Sequence, residues 1–126
     1  MNTDARKAGS YKDLVVWQKG IMLVKQLYRI TGEFPASERY GLTSQMQRAA
    51  VSIPSNIAEG QARHTTKEFI QFISHAEGSA GELETQLIIA TELGYCGRAP
   101  VEAALNAVEE LRRMLHALHR KLLTRL

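Results

Sequence analysis

Apolar residues recur along this chain at steps of three and four, in four separate runs, and no stretch alternates as a strand does. Leu14, Trp17, Ile21, Val24 and Tyr28 form the first run, predicting a helix from about Leu14 to Thr31. Asp13 is its expected cap and Gly32 its end, with Phe34-Pro35 as the connection. The second run lies in YGLTSQMQRAAVSIPSNIAEG at 40–60, where Met46, Ala49, Ala50, Ile53 and Ile57 share one face. Pro54 stands in the middle, where it removes a backbone hydrogen bond and crowds the carbonyl of Ala50 at a cost of roughly 3 kcal/mol. A helix that keeps such a residue is expected to be kinked there and gripped by its neighbours.

The third run opens with a capping box, Thr65-Thr66-Lys67-Glu68, in which hydroxyl and carboxylate each satisfy an otherwise unpaired amide. Phe69, Ile73, Ala76, Ala80, Leu83, Leu87 and Ala90 then follow at heptad spacing up to Gly94, a C-cap. The last run begins near Pro100 and carries Val101, Ala104, Val108, Leu111, Leu115, Leu118 and Leu122. Four long helices with short connectors and one apolar face each bury those faces against one another. The fold class is therefore all-α, an antiparallel up-down-up-down four-helix bundle with helix two kinked at Pro54. Ala49, Ala50, Ser52 and Ala58 on helix two, against Ala76, Gly78, Ser79, Ala80 and Gly81 on helix three, predict a tight crossing. Residues 1–10 read as a disordered N-terminal tail and 11–126 as the bundle.

Composition adds limits. No window approaches the roughly 18 uninterrupted apolar residues of a membrane span, and the opening MNTDARKAGSYKD lacks the apolar core of a secretory leader. The single cysteine, Cys96, makes no internal disulfide and suits a reducing cytoplasm. Net charge is only +3, but it is unevenly spread. Residues 1–30 carry six bases against two acids, residues 64–98 five acids against two bases, and residues 112–126 five bases with no acid. Such asymmetry fits a polyanion partner, or basic and acidic surfaces meeting between subunits.

Several segments carry a resemblance. QRAAVSIPSNIAEG at 47–60, with FPASERYGL at 34–42, EGSAGELETQL at 77–87 and YKDLVVWQKG at 11–20, resembles the four-helix-bundle proteins encoded in bacterial 23S rRNA intervening sequences. The likeness spans about residues 11–120. It implies the bundle fold, a cytoplasmic bacterial protein and assembly as a homopentamer. Related accessory proteins of diversity-generating retroelements are pentamers that bind nucleic acid and a reverse transcriptase. The family has no established molecular role, so the resemblance carries over no catalytic residue.

Candidate chemistry is sparse. A di-iron bundle needs Glu-x-x-His on two helices, and no Glu-x-x-His occurs in the chain. Glu59, Glu77, Glu82 and Glu84 within reach of His75 read as solvated or ion-paired carboxylates, and no metal or other cofactor is expected. His116 and His119, three apart near Arg112 and Arg120, supply two ligands, which do not make a metal site. Ser52, Ser55, Ser74 and Ser79 lie in no Gly-x-Ser-x-Gly elbow, so no enzyme is expected. Arg48, Ser52, Asn56, Glu59 and Arg63 make a polar stripe on helix two. It reads as a structural or interface network with Arg48 paired to Glu82 or Glu84.

A basic set remains: Lys19, Lys25 and Arg29 on helix one, with Arg112, Arg113, Arg120, Lys121 and Arg125 on helix four. Repeated around a ring of subunits, it would neutralise many phosphates, and with few aromatics interleaved the binding would tolerate any sequence. Two readings follow. One is a non-enzymatic oligomeric adaptor that binds RNA or DNA; the alternative is a scaffold that recruits a partner enzyme without touching nucleic acid.

Overall fold

The structure, a computed structural model, describes residues 10–126; the expected N-terminal tail lies outside the described residues except for Ser10. Four helices account for most of it: α1, Val15–Thr31; α2, Leu42–Gln61; α3, Thr66–Glu92; and α4, Arg98–Leu123. No strand occurs among the described residues. Nor is any described helix long and apolar enough to cross a membrane.

Neighbouring helices run antiparallel, as paired residues show. Gly20 meets Pro54 and Thr31 bonds Gln47 between α1 and α2. Ser52 bonds Ser79, and Gly60 abuts Phe72, between α2 and α3. Glu84 pairs with Arg112 and Glu77 with His119 between α3 and α4. One apolar core runs down the middle, and Met46, Ile53, Ile57, Ile73, Leu83, Leu87, Val108 and Leu115 are wholly buried in it.

The α2, α3 and α4 seams are buried where the spacing places them, with Leu118 half-buried. On α1 the phase differs. The buried stripe is Val16, Gly20, Leu23, Leu27 and Ile30, while Trp17, Ile21 and Val24 are half-buried and Tyr28 is 46% exposed. Apolar residues cover two adjoining faces of α1, and packing between α2 and α4 selects the other one. The start of α1 also departs from expectation. Asp13 belongs to a 3-10 turn, Tyr11–Asp13, and Leu14 occupies the cap position with no side-chain bond.

Close approach occurs at glycines other than those on α3. A Cβ on Gly20 would lie 3.3 Å from the Pro54 Cβ, and one on Gly60 only 2.7 Å from the Phe72 Cβ. At Gly78 and Gly81 a Cβ would meet nothing within 4 Å. The α2–α3 crossing is close at Ser52–Ser79, as expected, and at Gly60, whereas Gly78 and Gly81 take no part in it. At the start of α3, the Thr65 Oγ1 accepts from the Glu68 amide at 3.1 Å. The Glu68 carboxylate takes the Thr65 hydroxyl rather than its amide, so only half of the capping box forms. At its far end, Tyr95 N donates to Ala90 O and Gly94 N to Thr91 O, with Gly94 at φ +75°, the geometry of a Schellman cap.

Candidate functional site

A polar concavity lies where α4 crosses α3. Val101, Ala104, Val108, Leu111, Leu115 and Leu122 commit one face of α4 to the core, which turns Arg112, Arg113, His116 and Arg120 outward. With Glu77 and Glu109 these four line an open hollow of about 520 Å3. Arg112 donates to Glu84 at 2.7 Å and Arg113 to Glu109 at 2.6 Å. Exposed pairs of this kind each contribute about 0–1 kcal/mol, so they hold the guanidiniums in place while leaving them open to a stronger acceptor. Both imidazoles converge on one carboxylate, His119 Nδ1 lying 2.6 Å and His116 Nδ1 3.4 Å from the two oxygens of Glu77. Spacing along α4 puts the histidines on one side, but their shared partner depends on the register of α3 against α4.

The basic set does not form one patch. Lys19 bridges from α1 to Glu110 on α4 at 3.2 Å. Lys25 and Arg29 lie farther along α1, toward its junction with α2, and are exposed with no ion partner among the described residues. Arg120, Lys121 and Arg125 are likewise exposed, at the opposite end of the bundle. Arg112, Arg113 and Arg120 are the members that share one hollow.

The polar stripe on α2 is partly assembled. The Asn56 Nδ2 donates to Ser52 O and Oγ, both at 2.8 Å, and the Ser52 Oγ lies 2.8 Å from the Ser79 Oγ. Glu59 holds Arg63 at 2.9 Å, and the Arg63 guanidinium lies over the Phe72 ring, 4.7 Å from its centre. Arg48 makes neither expected pair. Glu84 is taken by Arg112 and Glu82 accepts from Gln86, so Arg48 only shares a shallow hollow with Glu82, Ser52 and Ser79. His75 packs edge-on against Phe72 and does not meet Glu77. Burial pushes the Cys96 thiol up, against a lowering hydrogen bond with Thr91, which leaves it a poor nucleophile.

A lock that sequence spacing does not reveal closes one end of the bundle. The Glu38 Oε1 accepts the Leu42 amide at 3.0 Å, capping α2, and its Oε2 accepts the Tyr95 hydroxyl at 2.8 Å. Phe34 packs on the Tyr95 ring, with centres 5.6 Å apart. The Leu42 amide first, and the Tyr95 hydroxyl second, hold the Glu38 carboxyl below its usual range. The hydrogen bond to Glu38 chiefly pushes the Tyr95 hydroxyl up. The carboxylate is thus favoured by folding, and its contribution is present at neutral pH and lost as pH falls through the lowered value. The phenol contributes in the opposite sense, up to its ordinary range and lost as pH rises through the raised one. Tyr95→Phe is expected to lower the melting temperature by a few degrees at neutral pH. In melts across a pH series, that difference should shrink toward acid as Glu38 protonates.

The family model for the 23S rRNA-intervening sequence protein matches residues 12–117. This chain belongs to that family. The fold has a solved counterpart, a crystal structure of a protein of unknown function from the S23 ribosomal protein family of Bacteroides thetaiotaomicron. The two share 23% identity over 83% of this chain and 98% of the other, with a TM-score of 0.76. No curated protein matches the chain. Within the 23S rRNA-intervening sequence match lie Glu38, Tyr95, Glu77, Arg112, Arg113 and His116, whereas His119, Arg120, Lys121 and Arg125 fall beyond it.

Proposed function

We propose that this family member is a non-enzymatic, oligomeric helical adaptor of the bacterial cytoplasm that binds RNA or DNA along the phosphate backbone. The observation that carries this is the grouping of Arg112, Arg113, Arg120 and His116 around one open hollow, with Arg112 and Arg113 each held by a single carboxylate at the surface. Few aromatics are exposed beside it, so contacts run to phosphate and not to base faces.

Assembly into a ring, a homopentamer as in the proteins it resembles, multiplies these contacts. Two surfaces support self-association. Trp17, Ile21, Val24 and Val51 line a half-open apolar groove between α1 and α2. On α3, Ile88 and Ile89 are 50% and 42% exposed, on the helix that also carries the open positions Gly78 and Gly81.

The test is a fluorescence-anisotropy titration with single-stranded RNA and DNA of unrelated sequences. Affinities should be alike across sequences. Three neutralised phosphates would weaken binding about 20-fold between roughly 50 and 200 mM salt. No binding at the lower salt would eliminate nucleic acid as the ligand. The scaffold that recruits a partner protein, favoured by the apolar α1–α2 groove, would then take its place.

A further inference from the structure

The charges around the α4 hollow nearly cancel. Arg112, Arg113 and Arg120 face Glu77, Glu84 and Glu109, three of each sign. From α1 the nearest pair, Lys19 with Glu110, is itself neutral. The net charge of the cluster is therefore set by His116 and His119, zero when both rings are neutral and +2 when both are protonated. We propose that Glu77, His116 and His119 act as a proton-operated control on this face, so that polyanions bind tightly when the imidazoles are charged and weakly when they are not. This rests on the phosphate-binding reading above and adds its regulation.

The geometry says which atom responds. A carboxylate oxygen 2.6 Å from His119 Nδ1 calls for a proton between them, so with Glu77 ionised Nδ1 donates and Nε2 is left free of that bond. The same carboxylate faces His116 Nδ1 through its other oxygen. Glu77 thus orients the His119 ring through Nδ1 and holds His116 more loosely, which leaves Nε2 of each as the nitrogen open to a further proton. Each added proton is a cation beside the guanidiniums, and each phosphate it neutralises steepens the salt dependence by about 0.7 for a single strand.

The probe is a uridine homo-oligomer, whose bases and phosphodiesters keep their charge across the range in which imidazoles change theirs. For the unmodified protein, affinity should rise about tenfold from about pH 8 to about pH 5.5, with a steeper salt slope at the lower pH. H116Q/H119Q should remove most of that rise. Glu77→Gln should act in the opposite sense and strengthen binding at pH 8, a gain that misfolding does not produce. Binding with no pH dependence, or with the same dependence in H116Q/H119Q, overturns the control and leaves phosphate binding standing. Absence of binding at either pH overturns both.

Discussion

Gly60→Val is expected to destabilise the bundle by about 1–3 kcal/mol, while Gly81→Ala leaves it unharmed or raises its stability by up to about 1 kcal/mol. Both glycines sit inside helices, with φ in the ordinary negative range, so backbone freedom does not distinguish them. Space does. Any Cβ at 60 falls 2.7 Å from the Phe72 Cβ and 3.0 Å from the Phe69 ring. The first is an atom fixed to the backbone of α3, so relief requires α2 and α3 to separate. At 81 no atom lies within 4 Å, and only the helix propensity of alanine changes. Thermal melts of the two variants would show this. Equal shifts would mean that α2 and α3 do not meet at Gly60.

A triple change, R112Q/R113Q/R120Q, should weaken single-stranded RNA binding about 100-fold, at about 1 kcal/mol for each screened charged contact. The salt slope should fall by about 2 at the same time. Glutamine keeps the length and helix propensity of the side chains. The two ion pairs it removes are exposed, so melting should move little. Loss confined to one RNA sequence would point to base reading. Loss at Lys25 and Arg29 instead would move the binding surface to the other end of α1.

The seams of α2, α3 and α4 were legible because each helix carries one apolar stripe and leaves packing no choice. Helix α1 was not, since VVW and IMLV wrap apolar groups over two adjoining faces. Periodicity found the flank, Trp17, Ile21 and Val24, while the neighbours buried Val16, Leu23 and Leu27. Of the small residues on α3, Ser79 meets Ser52 across the crossing, while the two glycines do not contribute, for a related reason. They announce that something comes close but not from which side, and Gly78 and Gly81 face away from α2. The basic residues of α4 were visible as a charge run, yet the carboxylates that balance them sit on α3 or one turn away. Neither Glu77 with His119 nor Glu38 with Tyr95 can be read without the axial offset between helices, 42 and 57 residues apart in the chain. Arg48 shows the converse, since a partner at plausible spacing was already held by Arg112.

The Glu38–Tyr95 bond, with Phe34 beneath it, fastens the α1–α2 corner to the α3–α4 corner. Glu77 and His119 lie in the half of the bundle away from that clasp. Loss of the clasp is thus expected to free the corners it joins before it reaches the Glu77–His119 contact.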